Sequence, residues 1–87
     1  MKFEVIATVT LAMEISDDII ALHKDEHWVK SLYNLDTPEK IAEHLAFNCG
    51  LHQRDVPRLD GFSDRTNDDV KADITWTEYE TRRLEGP

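Results

Sequence analysis

Residues 23 to 27, His-Lys-Asp-Glu-His, are the first place where residue type and spacing suggest chemistry. Two imidazoles four positions apart lie about 40° from each other around an α-helix. With the glutamate between them they have the H-x-x-E-H spacing of a zinc-peptidase motif. Such a site needs both histidines on one face of an unbroken helix, a third protein ligand, and an open coordination position for the attacking water. Asp25 and Glu26 work against the first condition, since a continuous helix would set them in or beside its apolar stripe without partners. The acids from Asp73 onward lie in a strand-like segment and a terminal tail, with no second ligand-bearing helix after the motif. His23 and His27 are therefore expected to be solvent-edge residues, with a small metal-dependent hydrolase as the alternative.

The remaining chemistry-bearing residues are no better organised. Cys49-Gly50-Leu51-His52 has a ligand-like spacing, but His44 and Cys49 point about 140° apart on a helix, so no metal or other cofactor is expected. Cys49 has no partner for an internal disulfide, which favours a reducing compartment, and no basic neighbour in sequence to activate its thiol. The acidic stretch Asp60 to Asp69 fails as a calcium loop. Counted from Asp64, its sixth position is Asp69 instead of glycine and its twelfth is Thr75 instead of glutamate; counted from Asp60, its third is Phe62. No Gly-x-Ser-x-Gly elbow or glycine-rich phosphate loop occurs, and the chain has three glycines in all. The expectation is a protein without enzymatic activity.

Positioning elements follow from hydrophobic periodicity. Phe3, Val5, Ala7, Val9, Leu11, Met13 and Ile15 fill every odd position of the opening segment, the mark of a strand with one buried and one wet face. Its length predicts a bend or bulge near its end. Val70, Ala72, Ile74 and Trp76 predict a second strand, and the shift of the apolar phase to Tyr79 predicts a bulge or the end of pairing near Glu78. The tail from Arg82 to Pro87 is expected to fray. Thr37-Pro38-Glu39 is a helix start, with a capping hydroxyl, a proline suited to the first turn and an acid at the positive end. Ile41, Ala42, Leu45, Ala46 and Cys49 then share one face, and Gly50 stands where a left-handed terminator belongs. Residues 17 to 35 divide better into two short helical pieces, Ile19-Ile20-Leu22 and Trp28-Val29-Leu32-Tyr33, with a break near Lys24-Asp25. Residues 51 to 69 form a connector tacked down by Val56, Leu59 and Phe62.

At 87 residues the chain makes a single domain, 1–87, and eighteen acidic against ten basic residues give a net charge of −8. That sign repels phosphate backbones, so nucleic acid is not an expected partner. No apolar run approaches the ~20 residues of a membrane helix. Residues 1 to 16 alternate where a signal peptide would run continuously apolar. A soluble, cytoplasmic protein is expected. The densest acidic block, Glu14, Asp17, Asp18, Asp25 and Glu26, is offset only by Lys24. It is the candidate interaction surface, with imitation of DNA phosphates as one use, although acid runs are usually solvated faces. Trp28 and Trp76 suit a core, or an interface if exposed.

TPEKIAEHLAFN, followed after a short gap by LDGF, resembles a segment of small uncharacterised proteins encoded by phages of actinobacteria. The resemblance covers residues 37–62, about a third of the chain, and departs from the pattern at FSDRTNDD. It implies a viral or prophage origin, a host-cell cytoplasmic location and an accessory role, and brings no site residues.

The expected architecture is α+β: a small antiparallel sheet pairing the N- and C-terminal strands, with the helix from Pro38 to Cys49 covering its apolar face. Two strands make a poor independent sheet, so either a third short strand from residues 51–60 or sheet extension through a homodimer is expected. The expected function is non-enzymatic binding of a protein partner through an edge strand or the acidic surface, in one form as inhibitor of a host enzyme. A structural or assembly component forming a homo-oligomer is the alternative.

Overall fold

The odd-position alternation does form a strand. In the computed structural model, which describes residues 1–32 and 34–84, β1 spans Phe3–Ile15 and β2 spans Val70–Arg83. The two pair antiparallel from Phe3 opposite Arg83 to Ile15 opposite Val70. No turn joins them directly. Residues 16–69 are inserted at one end of the ribbon and pack there as a helical head, giving a small α+β fold with a two-stranded antiparallel sheet flanked by helices. The third strand expected between residues 51 and 60 is not formed; Val56–Arg58 makes a single 3₁₀ turn instead, started by Pro57, which has no amide to give a ladder.

The head builds up from short pieces. α1 covers Asp17–Ile20 and runs into a 3₁₀ turn at Ala21–Lys24. The chain then extends at Asp25, whose carboxylate accepts from the amides of His27 and Trp28 at 3.1 Å each. That cap starts α2, Glu26–Ser31, so the break falls where the acids predicted it. Tyr33, read from sequence as the end of this piece, lies outside the described residues. α3, Pro38–Leu45, starts as its residues foretell: Thr37 Oγ1 accepts from the Lys40 amide at 3.1 Å, and Pro38 opens the helix. Lys40 Nζ reaches back to Asp36 at 2.7 Å, and that hydrogen bond holds the Asp36 carboxyl below its usual range.

α3 does not continue as an α-helix to Cys49. It widens at Ala46–Leu51 into a π-helical turn, which rotates the chain relative to the expected stripe. The result buries Asn48, whose side-chain amide donates to His44 O at 2.9 Å and accepts from Arg54 at 3.1 Å. Gly50 is not the left-handed terminator; Gln53 takes the positive φ, at 53°. The glycine is needed for close approach instead, since a Cβ there would collide with Leu11 Cδ2 and touch Ala72. The π turn is thus the part of the head seated directly on the root of the ribbon.

The core lies inside the head. Ile19, Ile41, Leu45 and Phe62 are fully buried, with Leu35, Val56, Leu59 and Val70 completing the cluster. The connector residues Val56, Leu59 and Phe62 are anchored as expected. Trp28 donates its indole N–H to Gly61 O at 3.2 Å and meets Phe62 edge-on at 5.6 Å. From the ribbon only Val70 is buried, with Met13 and Ile15 packed partly against the cluster. Expectation fails here in extent: α3 and the π turn cover the root of the apolar face and leave Phe3, Val5 and Ala7 exposed. The molecule measures 55 × 25 × 20 Å, a small head carrying a β-arm.

Candidate interaction surface

Pairing sorts the arm into two faces. Every odd residue of β1 shares a face with its partner on β2, so Phe3, Val5, Ala7 and Val9 lie beside Arg83, Thr81, Tyr79 and Thr77. The register shifts between Thr10 and Leu11, where Ile74 pairs with Leu11 and Trp76 with Thr10, leaving Thr75 as the extra residue. This bulge sits three residues nearer the head than the apolar phase slip suggested, and pairing then continues through Arg83. Arg82 meets Glu4 at 3.1 Å, and the Leu84 amide donates to Lys2 O at 3.0 Å, so the tail is paired through these residues. Glu85, Gly86 and Pro87 lie outside the described residues.

The bulge has a chemical consequence. It moves Trp76 off the face of Val70, Ala72 and Ile74, which the sequence pattern had assigned to it, and brings Tyr79 onto that face. One side of the arm therefore carries Phe3, Val5, Ala7, Val9, Ile74 and Tyr79. The other carries the pairs Glu4–Arg82, Ile6–Glu80, Thr8–Glu78 and Thr10–Trp76, charged except around Ile6 and Trp76. On the apolar side Phe3 is 49% exposed, Val5 55%, Ile74 59% and Tyr79 69%. Among the described residues, every large apolar side chain left exposed belongs to the arm, its tip, or the π turn, where Phe47 and Leu51 stand out. At the root the same face opens into a groove lined by Met13, Ile15, Ile20, Pro38 and Ala42.

All five acids singled out from sequence are exposed. Glu14 is opposite Lys71 on the charged side of the ribbon, Asp17 and Asp18 form the first turn of α1, and Asp25 and Glu26 open α2. Asp25 is engaged in capping. The residues did not foretell that the apolar face of the distal arm, together with the π turn, would be left uncovered. Phe47 carried a signal, because at 100° per residue it falls off the stripe of Ile41 and Leu45.

His23 and His27 sit on separate elements across the extended Asp25, so the single helical face of a zinc peptidase is not formed. His23 Nδ1 is 2.6 Å from Ile20 O. Among the described residues no three His, Cys, Asp or Glu side chains are grouped so as to hold a metal ion. Burial, aided by the Asp55 carboxylate, raises the Cys49 thiol above its ordinary value, which disfavours thiolate chemistry.

His44 is half-buried, and its ring stacks on Phe62 at 6.1 Å and 20°. Burial lowers its pKa, so the folded state prefers neutral imidazole. The unfolded chain then binds the proton more readily, so stability is unaffected above about pH 6.5 and is lost as pH falls below it toward the lower value of the folded state. Asp36 also titrates low when folded, but its loss begins only near about pH 4. Urea midpoints measured between about pH 7.5 and 5.5 are expected to fall more steeply for the wild type than for His44→Phe, which keeps a ring against Phe62. Equal slopes would show that His44 titrates as a free imidazole.

No helix among the described residues is long and apolar enough to cross a membrane. Comparison with known proteins gives no matching family model, and no curated protein or solved structure matches the chain.

Proposed function

We propose that this chain is a non-enzymatic protein-binding module whose contact surface is the apolar face of the β-arm. One observation carries the reading: every odd position from Phe3 to Ile15 is apolar, yet the head covers only the root of the face these residues generate. Isolated apolar residues on a surface need no explanation, whereas a contiguous patch marks an interface. The face lies on a ribbon whose strands both have an unpaired outer edge, which a partner can also extend. Work in the cytoplasm as a phage or prophage accessory protein accords with residues 37–62 and with the single free thiol. Inhibition of a host enzyme is one form such binding can take.

Hydroxyl-radical footprinting tests the reading, because it reports side-chain shielding whatever the partner is. Phe3 and Tyr79 are expected to lose most of their labelling when the protein is concentrated, or when it is mixed with extract of the cells that make it, while Glu78 on the opposite face labels throughout. Unchanged labelling of Phe3 and Tyr79 in both conditions would remove the proposal.

A further inference from the structure

We infer that β1 pairs edge to edge with β1 of a second copy, antiparallel about a twofold axis that runs normal to the sheet at Thr8. This pairing uses the edge of the arm and does not depend on what covers its apolar face. The arm's two edges differ. β2 is bulged at Thr75 and carries Lys71, Asp73, Glu78, Glu80, Arg82 and Arg83, features that keep a sheet edge from pairing. β1 runs from Phe3 to Ile15 without an extra residue or a proline, and Glu4 and Glu14 are its only charges.

Hydrogen-bond phase limits the register. The Leu84 amide donates to Lys2 O at 3.0 Å, and the Ser16 amide donates to Asp69 O at 2.9 Å. Even-numbered backbone groups of β1 therefore point to β2. Those of alternate residues point the other way in an antiparallel ladder, so the odd positions from Phe3 to Met13 offer theirs to the open edge. Centring the twofold on Thr8 sets Phe3 opposite Met13, Val5 opposite Leu11 and Ala7 opposite Val9, each pair exchanging two backbone bonds. Lys2, one residue before β1, then stands across from Glu14 in a close pair of the non-hydrogen-bonded type, where opposite charges stabilise a sheet. Among the described residues neither makes an ion pair within its own chain. A centre at Ala7 loses this pair, and a centre at Val9 sets Glu4 against Glu14, like charge on like.

The groove at the root fits the same register. Its residues Met13, Ile15, Ile20, Pro38 and Ala42 include ribbon positions from β1 alone, so it borders the edge that pairs. The partner's Phe3 lies opposite Met13, with Cα atoms ~5.5 Å apart and both side chains on one face. Its ring, 49% exposed in the single chain, enters the groove, and each copy completes the root of the other. Four strands replace two, beyond the three an independent sheet needs. The heads sit at opposite ends, and the apolar faces stay open between them.

Sedimentation equilibrium and cysteine cross-linking test the pairing, using full-length protein with Cys49→Ser as background. The wild type should be dimeric at about 100 µM, corresponding to a dissociation constant tighter than ~10⁻⁴ M. Ala7→Pro removes an outward amide and no β1–β2 bond. It should weaken association at least about tenfold with an unchanged circular dichroism spectrum. Lys2→Glu and Glu14→Lys should each weaken it roughly fivefold, and the two together should restore it. Thr8→Cys, on the axis at a Cα separation of ~4.5 Å, should form an intermolecular disulfide on mild oxidation. Ala7→Cys, offset two residues from its own copy, should not. A wild-type monomer at that concentration, full association of Ala7→Pro, or equal cross-linking at Ala7→Cys and Thr8→Cys would overturn the edge pairing. Tyr79→Lys should leave the dimer intact. If it alone dissociated the copies, self-association would run through the apolar face, which would overturn the edge pairing and uphold the binding reading of that face.

Discussion

Phe62→Ala should destabilise the protein by about 3–5 kcal/mol, enough to bring most of the population to the edge of unfolding. An 87-residue chain has a total stability of roughly 4–13 kcal/mol at the usual ~0.05–0.15 kcal/mol per residue. Phe62 has no exposed surface and takes Trp28 edge-on at 5.6 Å and His44 in a stack at 6.1 Å. It comes from the connector and closes the space between α2 and α3, so its loss leaves a void bordered by elements held in place from both sides. Urea unfolding followed by far-ultraviolet circular dichroism measures the effect. Tyr79→Ala on the arm is the control, expected within about 0.5 kcal/mol of wild type under conditions where the chain is monomeric. Equal losses at the two positions would mean that the arm shares the core's cooperativity, contrary to the separation of head and ribbon seen here.

That separation explains what could be read from the residues. Alternation from Phe3 to Ile15 identified a strand and which of its faces seeks cover, because side chains of a strand point alternately to two sides. It contained nothing about what provides the cover. The α3 stripe was long enough to suggest a lid over the whole face, but eight α-helical residues rise only ~12 Å, against about 43 Å for a thirteen-residue strand. A length comparison alone would have shown the mismatch. Helix starts were legible because their signals are local: Thr37 and Asp25 bond to amides two or three positions on. The π turn at Ala46–Leu51 was not, since its widening depends on seating Gly50 against Leu11 and Ala72, contacts separated by tens of residues.

The apolar face of the arm was hard to read for a related reason. The phase slip pointed to a bulge or the end of pairing near Glu78, beyond Trp76, and could not give the residue at which the register breaks. The break at Thr75 decides which side holds the tryptophan. Acidic residues drew attention because they cluster in sequence, although Asp25 is occupied in capping. The arm's apolar side chains looked like core residues because their pattern is that of a core.

Gly61→Ala should cost about 2–4 kcal/mol, an effect approaching that of Phe62→Ala from the addition of a single methyl group. Two independent penalties combine. Gly61 has φ +87°, in a region where an L-residue costs roughly 1–2 kcal/mol. A Cβ would also collide with Leu32 Cδ1 and stand 2.9 Å from Trp28 Nε1. Leu32 can swing aside, but Trp28 cannot readily do so, since its ring is held against Phe62 and its N–H is bonded to Gly61 O. Overpacking of this kind typically costs about 1–3 kcal/mol. A double-mutant cycle with Trp28→Phe separates the two: the smaller ring removes the collision and leaves the backbone strain, so Gly61→Ala should cost about 1–2 kcal/mol in that background. If the cost were the same with and without the tryptophan, the indole would not be the obstacle, and the turn at Asp60–Gly61 would be destabilised by its backbone alone.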